Sequence, residues 1–352
     1  MKNRSSNSII SVFFLVLLSA ISGCCPHQFV PQKNPGAPPQ FYLPEKIRVA
    51  LVLGSGGVRG MAHVGVLEEL EAANIQVDLI VGCSAGSIVG ALYADNPNIE
   101  IIKRAIAGIN TDSILDIDIW NCRYGLSQGK SMNRVIDKYL DAETFEELKI
   151  PLVVVATDLH TGELVPMGAG DLVKAVQASC SIPFVFVPCE HMGRVLVDGG
   201  VINPVPVKVA YDMGADFVIA VDLCELLPKT FPSNLFGVAA RSAEIAFMWQ
   251  NEVCTHSADV IIRPKTCGVG AFNDDMKQQL YEAGKYAARE LIPQIKELLA
   301  DIPQNDPKEF KWRIVNPICY TPQISLEEEE EEQKVASRQL AEESPIIAER
   351  DP

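Results

Sequence analysis

Apolar and polar positions fall into repeated strand–turn–helix units. Ile47–Leu53 (IRVALVL) is a short apolar run, the pattern of a strand buried on both faces. It ends in the loop Gly54-Ser55-Gly56-Gly57-Val58-Arg59-Gly60. Met61–Ala73 follows with Met61, Val64, Leu67 and Leu70 on one face, which predicts a helix. The unit recurs at Val77–Leu92 (VDLIVGCSAGSIVGAL). Leu79, Ile80 and Val81 read as a strand and Gly82-Cys83-Ser84-Ala85-Gly86 as a sharp turn. Ile88–Tyr93 reads as a helix, and the small residues Gly86, Gly90, Ala91 and Ala94 fit it closely to a sheet. Leu152–Thr157 and Phe217–Asp222 are further buried-strand patterns, and Arg194–Val197 leads into Asp198-Gly199-Gly200. Helices are predicted at Ile99–Ile109, Ser131–Leu140, Asp171–Ala178 and Asp274–Asp301, the last interrupted near Pro293. The mixed segment 95–150 is a candidate cap, and the Pro-bounded apolar run Ser181–Pro188 has the composition of an apolar pocket wall. Strands alternating with helices predict an α/β fold with a central mostly parallel sheet and helices on both faces.

The two ends depart from this pattern. Lys2 and Arg4 precede an apolar stretch, Ile9–Ile21, of signal-peptide length. It closes on Ile21-Ser22-Gly23-Cys24, which resembles a bacterial lipobox. The expectation is a signal peptide over 1–23, a lipidated Cys24 and a Pro-rich tether over 24–46. The main domain over 47–300 and a C-terminal extension over 301–352 follow. Acyl chains on Cys24 would hold the chain to a bacterial envelope membrane, and Cys25 in place of Asp favours the outer one. Of the formal net charge of −15, residues 325–352 contribute −7, from ten acidic and three basic side chains. The Glu327–Glu332 run predicts a solvated, disordered tail. Neither part carries the clustered cations that nucleic-acid binding needs. The sequence sets no oligomeric state.

Ten cysteines include no C-x-x-C pair, and their spacing fits no zinc site. Cys180 and Cys189 are close enough in sequence to bridge a loop. Asp112, Asp116 and Asp118 lack the glycine turn of a calcium loop and read as a capping or solvated face. No metal or cofactor is called for.

Gly82–Gly86 is a G-x-S-x-G match in strand–turn–helix context, which marks Ser84 as a candidate nucleophile. The Gly54 loop has three readings. A P-loop fails because Val58-Arg59-Gly60 stands where G-K-[ST] belongs. A dinucleotide fingerprint is weakened by Arg59 at its last glycine, although Asp78 lies near the distance of a ribose-binding acid. An oxyanion hole fits best, because bare glycine N–H groups at a helix start can hold a developing negative charge. The nucleophile then needs a base. His256 is the one late histidine, His160 sits in a turn, and His63 follows the glycine loop as a packing or capping residue.

Gly54–Gly60, Gly82–Gly86 and Asp198-Gly199-Gly200, in that order, resemble the patatin-like phospholipase family. The text around Ala62-His63-Val64-Gly65 and Val197–Pro206 is similar to its bacterial and neuropathy-target-esterase-like branch. Ser55, where many members have Gly, and Cys83 within the elbow are departures. The resemblance implies a three-layer α/β/α fold, Ser84 as nucleophile and Asp198 as base without a histidine. It also implies an oxyanion hole from Gly56, Gly57 and Val58, with Arg59 anchoring the loop or meeting a lipid phosphate. The implied substrates are fatty-acyl esters of phospholipids or lysophospholipids. An acyltransferase with the same dyad, or a non-catalytic scaffolding lipoprotein on the same fold, are the alternatives.

Overall fold

The computed structural model describes residues 29, 36–117, 123–224, 227, 231–266, 268–270, 273–303 and 311–321. The expected signal peptide, Cys24, most of the tether, Asp118 and the acidic tail lie outside them.

The chain opens with β1 (Phe41–Pro44) and β2 (Ile47–Leu53), followed by a 3₁₀ turn, Gly57–Gly60, and α1 (Met61–Ala72). Next come β3 (Leu79–Cys83), α2 (Ala85–Asp95), α3 (Ile99–Gly108), α4 (Thr111–Ile114), β4 (Gly125–Ser127) and α5 (Lys130–Asp137). The middle holds β5 (Leu152–Asp158), β6 (Leu164–Met167), α6 (Leu172–Ser179), β7 (Phe184–Phe186), β8 (Cys189–His191) and β9 (Arg194–Asp198). The last part is α7 (Val207–Asp212), β10 (Ala215–Val221), α8 (Leu235–Thr255), β11 (Val260–Ile262), α9 (Lys277–Ala300) and β12 (Trp312–Val315).

The main sheet has eight strands, in the order β11-β10-β2-β3-β5-β9-β8, with β6 also on β5. Neighbours from β11 to β5 are parallel, whereas β6, β8 and β9 pair antiparallel. Period-2 alternation distributes each central strand between two cores. In β2, Val49, Leu51 and Leu53 join one core and Ala50 and Val52 the other. In β5, Leu152, Val154 and Ala156 face the first, and Val153 and Val155 the second. The first core is closed by α1 and α9 (Leu67, Leu70, Leu280, Ile295) and the second by α7 (Val207, Val209). The result is a three-layer α/β/α fold. Because the parallel strands are covered on both sides, their inner stretches, such as Val49–Leu53 and Phe217–Val221, are apolar on both faces.

Two glycines let α1 and α9 cross at backbone contact. A Cβ on Gly65 would lie 2.1 Å from the Tyr281 carbonyl oxygen, and one on Gly284 would lie 2.0 Å from that of Ala62. Gly284→Leu is expected to destabilise the chain by upwards of about 3 kcal/mol, read as a lower thermal midpoint.

The structure differs from the sequence reading at Pro293, at the two borders of the expected domain and at α8. The helix expected to break near Pro293 runs unbroken from Lys277 to Ala300. Pro293 is exposed, on the side of the helix away from the core, while Ile295 and Leu299 keep the next turns anchored. Strand β1 lies within the expected tether and β12 within the expected C-terminal extension. They pair from Phe41↔Val315 to Pro44↔Trp312, so the folded part extends on both sides of 47–300. Their four-residue patterns are too short to read until each meets its distant partner. Finally, α8 carried no amphipathic stripe, because apolar residues surround it. Leu235, Trp249 and Val253 are exposed. Among the described residues, no helix is long and apolar enough to cross a membrane.

Candidate active site

Ser84 sits between β3 and α2 with φ 52° and ψ −121°, a left-handed region that a side chain enters only under constraint. The flanking glycines make the turn possible. A Cβ on Gly82 would meet the Ser87 Cα at 2.7 Å, and one on Gly86 the Leu53 carbonyl oxygen at 2.0 Å. The Ser84 N–H donates to the Ser179 hydroxyl on α6 (2.9 Å), and the Ser87 hydroxyl donates to the Ser84 carbonyl (2.6 Å).

Register on β5 explains how Ser84 meets a residue so far along the chain. Strand β3 pairs with β5 up to Cys83↔Val155, and β9 pairs from Ala156↔Asp198 onward. Since β6 occupies the opposite edge of these residues, β3 and β9 share one edge, end to end. Their C-termini therefore meet head on, and the residue after Cys83 comes against the last residue of β9. Asp198 is 5% exposed, and its N–H donates to the Ser181 carbonyl at 2.9 Å. Its Oδ1 accepts from the Gly200 N–H at 2.7 Å. The Ser84 side chain is within hydrogen-bonding reach of the carboxylate. Burial raises the Asp198 pKa from 3.8 to about 6, against the lowering effects of the Ser84 and Gly200 hydrogen bonds.

The two departures from the family pattern touch each other. The Ser55 hydroxyl donates to the Cys83 Sγ (3.1 Å), and the thiol faces the Asp198 Oδ1 at 4.0 Å. Burial and the neighbouring Asp198 hold the Cys83 pKa well above its ordinary value, so it stays a neutral thiol beside the carboxylate.

The glycine loop follows β2, the parallel neighbour of β3, so it reaches the same sheet edge. The Gly54 and Ser55 N–H groups donate to the Val221 and Pro204 carbonyls, and that of Arg59 to the Gly56 carbonyl. Gly57 and Val58 begin the 3₁₀ turn just after Gly56, where no intrahelical acceptor reaches an N–H. Gly57 needs its φ of 58°. The Arg59 Nε donates to the Gly56 carbonyl at 3.1 Å, and Gly60 packs against Ala85. His63 is wholly buried behind the loop. Its Nε2 donates to the Gly54 carbonyl at 2.8 Å, and burial lowers its pKa to about 4, so it stays neutral.

Ser84, Gly57 and Val58 open into an apolar cavity of about 90 Å³. Ile106, Ile109, Ile114 and Met132 come from the 95–150 segment, and Ile182 and Phe186 from the Pro-bounded run. Lys277 closes one side, its Nζ donating to the Ile109 carbonyl (2.6 Å) and the Asn110 Oδ1 (2.8 Å). Ser179, Lys277 and the Ser55–Cys83 contact carried no sequence signal.

The other candidates lie apart. Asp78 Oδ2 accepts from the Arg48 and Val49 N–H groups at the start of β2, the far end of that strand from the glycine loop. The ribose-binding role is therefore excluded. His160 and His256 are exposed, outside the buried site. Asp116 accepts from the Gly129 and Lys130 N–H groups and caps α5. Cys180 and Cys189 are unbridged thiols, so the disulfide does not form.

Residues 51–211 match the family model described as patatin-like phospholipase. Over these residues the chain is similar to patatin-like phospholipase domains. Over 181 residues it is 36% identical to mouse patatin-like phospholipase domain-containing protein 6, covering 50% of this chain and 13% of that protein. Over 176 residues it is 35% identical to an uncharacterized NTE family protein of Mycobacterium tuberculosis, covering 50% of this chain and 49% of the other. The chain thus spans about half or less of these relatives. Among solved structures, VipD from Legionella pneumophila aligns with a TM-score of 0.48 at 14% identity, over 76% of this chain and 72% of that one. The patatin-like match contains the glycine loop, the elbow and Asp198.

Proposed function

We propose that this chain hydrolyses fatty-acyl esters of phospholipids or lysophospholipids through a Ser84–Asp198 dyad. The observation that carries the reading is a strained serine within reach of a buried, unusually basic carboxylate, opening into an apolar cavity. Ser84 Oγ attacks the acyl carbonyl carbon as its proton passes to the Asp198 carboxylate. The carbonyl oxygen becomes an oxyanion between the N–H groups of Gly56, Gly57 and Val58. Collapse expels the alcohol, which takes the proton from Asp198, and leaves an acyl-enzyme. Asp198 then deprotonates a water that attacks the acyl carbon, and Ser84 recovers its proton as the fatty acid leaves. A pKa raised from 3.8 to about 6 strengthens the base by about two orders of magnitude, which is what a dyad without histidine requires. The cavity wall is mostly apolar and accepts an acyl chain, and its one lining cation, Lys277, is held by the Ile109 carbonyl and Asn110.

Lipidomics of products from wild type against Ser84→Ala tests the reading. Free fatty acid and the matching deacylated lipid should appear with wild type alone. Equal products from both would reject it.

Only the ionised Asp198 accepts the proton, so kcat/KM is expected to rise with pH through a midpoint of about 6 and then level off. Initial rates on a dissolved p-nitrophenyl ester check this, and a profile falling toward neutral pH would contradict it.

In this reading Cys24 is the membrane anchor in a bacterial envelope. Radiolabelled palmitate should enter the wild-type chain but not Cys24→Ser.

A further inference from the structure

The cavity wall continues into a turn with an unusual occupant. The Ile182 carbonyl accepts from the N–H groups of Val185 (3.1 Å) and Phe186 (2.9 Å). With Pro183 in second place and a φ of 69° at Phe184, Ile182–Val185 matches a type II turn. The third position of such a turn belongs to Gly or Asn, because a larger side chain crowds its own backbone. Here a phenylalanine holds it, the only aromatic residue with positive φ among the described residues, and it is 88% exposed. A strained backbone and a solvated ring on one residue together call for a compensating contact outside the free chain.

The surroundings identify that contact. Ile182 and Phe186, on either side of Phe184, line the cavity over Ser84. Strand β7 pairs with β4 through Gly125↔Phe184 and Ser127↔Phe186. Leu126, between those partners, is 48% exposed, and Ile117, bridged to Ser127, is 62% exposed. Exposed apolar side chains therefore sit beside the cavity wall, on the strand that carries Phe186 and on the two segments paired with each other next to it. An acyl chain moving through water from a bilayer to Ser84 would expose each methylene at hydrophobic cost, and a tip embedded in the bilayer removes that step.

We propose that Phe184, with Leu126 and Ile117, is a membrane-insertion tip that seats the cavity mouth on a lipid surface. The proposal rests on the acyl-ester hydrolase reading, and its test separates the two. Phe184→Gly in the full chain suits the turn, so its melting temperature should equal or exceed that of wild type. Its turnover of a dissolved short-chain p-nitrophenyl ester should be unchanged. On phosphatidylcholine–phosphatidylglycerol vesicles its turnover should fall by about tenfold or more, the effect of withdrawing one buried aromatic side chain. Separately, Phe184→Trp in a Ser84→Ala background places an indole at the tip. Acyl-brominated lipids should quench its emission beyond that of the three native tryptophans. Wild-type vesicle turnover by Phe184→Gly, or no added quenching, would overturn the proposal. Quenching needs no turnover, so added quenching in a chain that cleaves no ester upholds the tip and rejects the hydrolase reading alone.

Discussion

Asp198→Asn is expected to lower kcat by about 10³- to 10⁴-fold and at the same time to raise the melting temperature at neutral pH. The first effect follows from the base's place in both half-reactions. An amide at that position accepts no proton from Ser84 and activates no water, although it retains the shape and an oxygen for the Gly200 N–H. The second follows from linkage. The folded-state pKa of Asp198 is about 6, above its ordinary 3.8. Its contribution to stability is therefore fully present below about pH 3.8 and is lost as the pH rises through about 6. At neutral pH the native fold carries an ionised carboxylate in a site 5% exposed. Removing that charge is expected to stabilise the chain by on the order of 2–3 kcal/mol. The two melting curves should converge as the pH falls toward 4, where the wild-type group is protonated. Ser84→Ala should lose activity as completely, without this pH-dependent gain. A variant with both low activity and low stability at neutral pH would contradict the assignment of Asp198 as a strained base.

The second large effect concerns the elbow. Gly86→Ala adds one methyl group, but its Cβ would lie 2.0 Å from the Leu53 carbonyl oxygen and 2.8 Å from that of Gly54. Both are backbone atoms, one at the end of β2 and the other at the start of the glycine loop. Neither moves without shifting the N–H groups placed for the oxyanion. The expected cost is about 3–5 kcal/mol, with activity lost in whatever remains folded. Gly270→Ala is the control, since nothing lies within 4 Å of a Cβ there. It should change stability by less than about 0.5 kcal/mol. Thermal melts of the pair decide the matter, and equal midpoints would show that the close approach at Gly86 is not required.

The strand–turn–helix units were legible in the sequence because each central strand has an apolar stretch buried on both faces, and β2 and β3 lead into glycine turns. Ser84, the glycine loop and Asp198 were marked by motif, yet nothing local told how they meet. That depends on β3 and β9 sharing one edge of β5, a non-local register. The same holds for β1 and β12, four residues each, which become a sheet only by pairing with each other. Ser179, which holds the elbow's N–H, is an ordinary serine near the end of a helix until the fold brings it to Ser84. Ser55 and Cys83 read as two separate departures, but the structure makes them a single contact behind Asp198. In α8, apolar residues on all sides concealed a helix that periodicity alone identifies only when one face is polar.

Active-site labelling tests the central claim most directly. The full chain is treated with a fluorophosphonate across the acid-to-neutral range, and the adduct is mapped by peptide mass spectrometry. The dyad predicts one adduct, on Ser84, forming at a rate that rises through a midpoint of about pH 6 and collapses in Asp198→Asn. An adduct on another residue, or labelling of Ser84 at an undiminished rate in Asp198→Asn, would contradict it.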